Sequence, residues 1–144
     1  MSFAKNYAID SATGLIKRAT GQAAVTATGY IGTQYDQQAA TATDMVLVLN
    51  VEAVDVASAN EVYTFRIVGS NVADRSDGEI LGMAMLGHAT TITIETRNTA
   101  GGDRIIIPFR TEENRTRFRY VDLHLTVAGT TPSITFNAYF SKEI

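Results

Sequence analysis

The chain of 144 residues contains no cysteine and no tryptophan, and it has only two prolines and two histidines. The lack of cysteine excludes disulfide bonds, thiolate catalysis and cysteine-ligated metal sites. Charged residues make up 19% of the sequence, below the roughly 25% of an average globular protein. Because the formal net charge is −3, whole-protein charge does not favour nucleic acid as a direct partner.

Long apolar segments are also missing. The longest apolar run near the middle, residues 80–86, contains a glycine and is too short to cross a bilayer. The first ten residues lack the apolar core of a secretory signal. The sequence therefore predicts a soluble protein with no membrane partner.

From Asp44 onward, apolar and polar residues alternate with the period of two that is typical of strands. Glycine-containing turns separate these segments, and helical periodicity is almost absent. The pattern predicts an all-β fold, an antiparallel β-sandwich with at least six strands, or a barrel as the second choice. Eight side chains are predicted to share one core: Leu47, Leu49, Phe65, Ile67, Leu123, Leu125, Phe136 and Phe140.

Two segments have less regular patterns. Residues 77–86 have the character of a short helix, although two glycines weaken helix formation. Residues 90–109 are predicted to form a hairpin with a turn at residues 98–103, where Gly101 and Gly102 can adopt positive φ.

The segment from Ala19 to Thr43 is rich in Ala, Thr and Gly and has few large apolar side chains. Such a segment buries little surface to offset its own ordering entropy. We predict an extended N-terminal arm over residues 1–43, with a short strand near Ala24–Thr28, followed by a sandwich over residues 44–144 within a single domain. Residues from about Ala19 to Thr43 are expected to contact neighbouring chains more than their own sandwich core. Surface loops around a first strand are the alternative.

Three arginines conflict with the alternation in the last third of the chain. Arg115, Arg117 and Arg119 share the parity of Val121 and the apolar residues that follow it, so a regular strand would bury them. Either a bulge near residue 120 resets the alternation, so that residues 118 and 120 join the core, or the arginines precede the strand. In both cases the arginines leave the core together.

These arginines are candidate residues for a protein interface. Arg110, Arg115, Arg117 and Arg119 lie within ten positions and would form one surface. Arginine is the basic residue enriched at protein interfaces, where its guanidinium can bind a carboxylate with two hydrogen bonds. The alternative is a solvated surface in which they pair with residues 112 and 113, both glutamate. The aromatic candidates for the same kind of contact are Tyr30 and Tyr35.

Few residues could support catalysis. His124 is predicted to share an outer face with Asp122, which resembles half of a catalytic triad, but no serine has the context of a nucleophile. Asp74, Asp77 and Glu79 lack the spacing of a calcium loop, which favours an ordinary turn. We therefore predict a protein that is not an enzyme, with no catalytic residue, no cofactor and no metal site.

The segment from Arg119 to Phe140, RYVDLHLTVAGTTPSITFNAYF, joins an Arg-Tyr pair, an alternating strand, the run VAGTTP and a final strand. Together with QAAVTATG near the start, VGSN at residues 68–71 and the chain length, it resembles the capsid cement (decoration) proteins of tailed bacteriophages, of the jelly-roll type typified by the Bordetella phage cement protein. The resemblance implies a jelly-roll-like sandwich that binds the outside of an assembled capsid and cements neighbouring major capsid subunits.

The resemblance also implies partners and location. These are the major capsid protein and further copies of the same chain, as a dimer or trimer, on the capsid exterior of a virion after synthesis in the host cytoplasm. The alternative is a non-catalytic β-sandwich module of a phage tail or secreted assembly that binds a carbohydrate or a protein. A carbohydrate module would present an exposed aromatic platform, whereas this chain has no tryptophan and its six tyrosines are dispersed.

Overall fold

The computed structural model describes residues 7–92 and 97–142, and over these residues the chain forms nine β-strands and one short helix. The elements in chain order are β1 (Ile16–Arg18), β2 (Gly29–Thr41), β3 (Asp44–Val54), β4 (Val62–Ser70), β5 (Glu79–Gly87), α1 (Ala89–Ile92), β6 (Arg104–Arg110), β7 (Glu112–Glu113), β8 (Thr116–Ala128) and β9 (Ile134–Ser141).

The strands form two antiparallel sheets that pack face to face. Within the described ranges the four-stranded sheet has the order β1-β9-β3-β6, and the five-stranded sheet has the order β2-β8-β4-β5, with β7 paired to β8. Most connections cross from one sheet to the other, whereas β4 and β5 form a hairpin within one sheet. This order of eight main strands in two sheets is that of a jelly roll. The predicted all-β sandwich is confirmed.

The core lies between the two sheets. Phe65 and Phe136 meet edge to face across it with ring centroids 5.0 Å apart, and Phe109 meets Phe140 at 5.3 Å. Such aromatic pairs add stability beyond the area they bury. The eight side chains predicted to share this core are all fully buried in it: Leu47, Leu49, Phe65, Ile67, Leu123, Leu125, Phe136 and Phe140.

The structure corrects the description of residues 29–41 as part of an arm. They form β2, which pairs with β8 at the edge of the five-stranded sheet, and Ile31 and Tyr35 are buried in the core. The strand expected near Ala24–Thr28 is reduced to a single bridge between Val25 and Ile134. Two large inward side chains are enough for β2 because β8 supplies its backbone partners. Contacts of this segment with other chains stay a prediction.

The structure also corrects the short helix expected over residues 77–86. Most of that segment is β5, which pairs with β4 along its length. A bulge between the pairs Val68–Ile80 and Ile67–Gly82 inserts Leu81 and interrupts the period of two. This interruption is the reason that the alternation did not identify the strand.

The predicted hairpin over residues 90–109 is found only in its second half. Strand β6 and the turn before it are present, and Gly102 has the expected positive φ of 96°. Residues 90–92 belong to α1 instead of a strand. Residues 93–96 lie outside the described residues.

Candidate interaction surface

The loops that join β2 to β3, β4 to β5 and β6 to β8 meet at one end of the sandwich. We call it the arginine end, because it carries Arg110, Arg115, Arg117 and Arg119. The loops are tied together between Thr43 and Thr111: the Thr43 N–H donates to Thr111 Oγ1 at 2.8 Å, and the Thr111 N–H donates to the Thr43 carbonyl at 3.0 Å. The four arginines assigned to one surface by the sequence therefore lie at the same end.

The alternation of β8 resets at the predicted place. Phe118 is buried, and its ring lies over Gly69, where an added Cβ would come within 2.8 Å of the ring. Val121 pairs with Gly69 and is also buried. The side chains of Phe118 and Val121 therefore both face inward. Tyr120 is only half-buried, so Phe118 is the residue that joins the core before Val121. Arg117 and Arg119 face away from it.

Asn71 replaces a strand partner where β8 begins. Its side-chain amide donates to the Arg117 carbonyl at 2.8 Å, and its side-chain oxygen accepts from the Arg119 N–H at 2.9 Å. The Asn71 N–H in turn donates to the Asp77 carboxylate at 3.0 Å. The backbone that presents the arginines is therefore fixed by the β4–β5 loop.

Arg119 makes a bidentate ion pair with Asp36 of β2. Its Nε and Nη2 donate to the two carboxylate oxygens at 2.7 and 2.9 Å. These bonds hold the pKa of the Asp36 carboxyl below its usual range and raise the pKa of Arg119. Asp36 lies 83 residues from Arg119 in the sequence, so no local pattern could have indicated this partner.

Glu112 links Arg110 and Arg117. Its carboxylate oxygens lie 3.6 Å from Arg110 Nε and 3.2 Å from Arg117 Nε, and Arg110 Nη1 also lies 3.2 Å from Asp44. The two arginine side chains are 51% and 63% exposed, so each pair contributes about 0–1 kcal/mol. For these two arginines, pairing within the chain is thus observed.

Arg115 lies at the tip of the β7–β8 hairpin. Asn114 and Arg115 have φ of 50° and 68° and connect the paired residues Glu113 and Thr116. Two positive φ angles in a two-residue loop are typical of a type I′ turn. The Arg115 side chain is exposed and makes no ion pair with any residue in the described ranges. It is therefore open to a carboxylate of another molecule.

The two tyrosine candidates lie elsewhere. Tyr35 is buried in the core, which contradicts its prediction as a surface contact. Tyr30 is 43% exposed on the outer face of the five-stranded sheet. Its ring meets the His124 ring edge to face at 4.8 Å and the Arg75 guanidinium at 4.0 Å. Because Arg75 covers it, the Tyr30 ring is not an open platform for a sugar.

A cluster around Asp122 was not predicted from the sequence. The Asp122 side chain is 3% exposed. It accepts hydrogen bonds from Arg75 Nη2 at 2.9 Å and from Gln34 Nε2 at 2.8 Å. The half-triad with His124 is not formed, since His124 packs on Tyr30 instead. Burial and the charge of Arg66 lower the pKa of His124.

Lys17 of β1 is buried next to this cluster. Its Nζ donates to the Thr33 carbonyl at 2.7 Å and lies 4.9 Å from the centre of the Phe140 ring. Burial lowers the pKa of Lys17 to about 8, and the charge of Asp122 acts in the opposite direction. The backbones cross closely here: a Cβ on Gly32, whose φ is 73°, would lie 2.4 Å from the Lys17 carbonyl oxygen. Sequence alternation gave no sign of a buried lysine.

The different partners of two arginines give a testable difference in stability. Arg119→Glu would place a carboxylate against Asp36 and remove a bidentate pair, so the melting temperature should fall by several degrees. Arg117→Glu removes only an exposed pair, and its melting temperature should stay close to that of the wild type. Thermal unfolding followed by circular dichroism measures both. Equal melting temperatures for the two variants would contradict the structural role of the Arg119–Asp36 pair.

The acidic residues near Asp74 have the turn contacts that the sequence favoured. The Asp74 carboxylate accepts from the Ser76 N–H at 2.9 Å. No group of three or more His, Asp or Glu side chains in the described part of the chain could hold a metal ion. Over the same residues, no helix combines the length and the apolar character needed to cross a membrane.

The sequence matches no protein-family model, and it matches no curated protein at a significant level.

Proposed function

We propose that the protein is a structural virion component that binds the outside of an assembled phage capsid and cements neighbouring major capsid subunits, together with further copies of itself. The proposal is supported by the segment from Arg119 to Phe140, which resembles the capsid cement proteins. This segment forms most of β8 and β9, the inner strands of the two sheets next to β2 and β1. The jelly-roll strand order also agrees with the type that the sequence resembles.

The observation that carries the proposal is the set of exposed, weakly paired arginines at the arginine end. Arg115 projects at a hairpin tip without an ion pair in the described structure, next to Arg110 and Arg117 with their shared Glu112. Exposed pairs are weak, so they exchange for carboxylates of another protein at small cost. Between desolvated surfaces, the same guanidinium–carboxylate contacts become stronger and more specific.

Both sheets contribute to the arginine end. Arg110 ends β6 in the four-stranded sheet, and Arg117 lies on β8 in the five-stranded sheet. Their guanidinium groups converge on the one carboxylate of Glu112, and Arg115 lies at the tip of the adjoining hairpin. The three arginines therefore form one compact cationic surface that suits an acidic patch on a shell subunit.

Charge reversal at the arginine end tests the proposal. The double variant Arg115→Glu, Arg117→Glu should keep its circular dichroism spectrum and bind purified empty capsids more than tenfold more weakly, since loss of an interfacial charge pair costs roughly 2–5 kcal/mol. The matched control is Arg104→Glu, an exposed position at the opposite end of the sandwich, which should bind like the wild type. Capsid co-sedimentation gives the affinities, and wild-type binding should weaken as salt is raised.

Two outcomes would contradict the proposal. A double variant that still saturates capsids would show that the arginine end does not face the shell. A wild-type protein that fails to bind capsids even at low salt would remove the cement function and favour the alternative, a binding module for another ligand.

A further inference from the structure

The edge strands of the two sheets are protected to different degrees. Edges expose unpaired backbone groups, and proteins shield them with short strands, prolines, charges or bulges. Over the described residues the edges are β1, β6, β2 and β5. Strand β1 has three residues, and β6 contains Pro108 between Arg104 and Arg110 at its ends. Strand β2 has two register shifts, with positive φ at Gly32 and Gln38.

Strand β5 has little of this protection. It is nine residues long, and its one charged residue is Glu79 at the first position. The bulge at Leu81 lies near that end, and at the other end Thr99 bonds to both backbone groups of Gly87, so the open part of the edge is residues 82–86. On the outer face, Ile80, Met83 and Met85 are 51%, 52% and 37% exposed. A long apolar edge of this kind is a template for pairing with another strand.

We propose that β5 pairs in antiparallel fashion with β5 of a second copy, across a two-fold axis at Ala84, and so joins two five-stranded sheets. In this register Met83 lies opposite the partner's Met85, and both side chains are on the outer face. On the inner face Gly82 lies opposite the partner's Leu86, so a large side chain meets a position without one. A two-fold interface requires such self-complementarity.

Other registers fit less well. A shift by one residue places outer-face methionines against inner-face residues. A two-fold axis at Met83 pairs Leu81 with the partner's Met85, which face opposite sides because of the bulge. With the axis at Ala84, no charged residue opposes another, since Glu79 lies opposite Ala89, beyond the regular segment. These restrictions favour a second copy of this chain over an unrelated strand.

This inference specifies the self-association included in the proposed function, but its test needs no capsid. The paired segment is short, so the area that it buries should be smaller than the roughly 800 Å² per partner of a standard interface. The dimer should therefore dissociate on dilution. Sedimentation equilibrium of the full chain should show a dimer at high concentration. The double variant Met83→Lys, Met85→Lys should raise the dimer dissociation constant more than tenfold and leave the circular dichroism spectrum unchanged. Val72→Lys, an exposed apolar position in a loop, is the matched control and should dimerise like the wild type.

Cross-linking tests the register. Because the chain has no cysteine, the single variants Met83→Cys and Met85→Cys report on one contact. Directly opposed positions lie closer than diagonal ones, so a mixture of the two variants should oxidise to a disulfide dimer faster than either variant alone. A wild type that is monomeric at every concentration, a lysine variant that dimerises normally, or no preference for the mixed disulfide would each overturn the proposal. Dimers that fail to bind capsids would overturn only the cement function.

Discussion

Replacing Asp122 with alanine should lower the free energy of unfolding by about 3–5 kcal/mol, the usual loss when one member of a buried ion pair is removed. The Asp122 side chain is 3% exposed and bonds to Arg75 and Gln34. The substitution leaves the partly buried guanidinium of Arg75 without its carboxylate. It also removes the negative charge that favours the protonated form of the buried Lys17.

Urea unfolding followed by circular dichroism measures this loss. Asp44→Ala is the matched control, because Asp44 is 56% exposed in its pair with Arg110, and it should cost less than about 1 kcal/mol. Equal losses for the two variants would show that burial does not distinguish the two ion pairs.

The free energy of unfolding should rise as the pH increases from about 8 to about 10, because of Lys17. Its pKa is about 8 in the folded chain, against an ordinary value of 10.5. Between these values the unfolded chain still binds the proton that the folded chain has lost, so raising the pH favours the folded state. Below pH 8 both states are protonated, and the penalty for the buried charge is constant. The slope is at most about 1.4 kcal/mol per pH unit.

The variant Lys17→Met provides the comparison for this prediction. The variant keeps Asp122 and Arg75, the charged groups that act on Lys17, and lacks only the ammonium group of Lys17. The rise in stability should therefore be absent from the variant. Urea unfolding curves recorded between about pH 7.5 and about pH 9.5, on both sides of the lowered pKa of Lys17, measure the difference. Parallel pH profiles for the two proteins would contradict a lowered pKa for Lys17.

Sequence alternation predicted those parts of the fold in which each strand buries one regular face. Leu47 and Leu49 on β3, and Leu123 and Leu125 on β8, are examples that lie fully buried in the core. The reset near Tyr120 could also be predicted, because three buried arginines would have been too costly. In both cases the burial of a side chain depends on its position within a single strand. The sequence alone was therefore enough to predict it.

The features that the sequence did not predict depend on contacts between distant segments or on a bulge that breaks the alternation of a strand. The bulge at Leu81 concealed β5, and β2 was missed because only Ile31 and Tyr35 anchor it in the core. The four arginines share one end of the sandwich, as the sequence placed them on one surface, but their partners within the chain could not be predicted. Asp36 and Asp44 come from β2 and β3, and only the folded topology brings them to the arginines.

The position of β9 has a consequence for the newly synthesised chain. It lies between β1 and β3, and it pairs Ile16 with Tyr139, near the two ends of the described chain. Pairing of such distant segments slows folding. Until residues 134–141 leave the ribosome, β1 and β3 both carry open edges that can join other nascent chains. A small deletion in β9 should therefore cause aggregation out of proportion to its size, because it frees two strands at once.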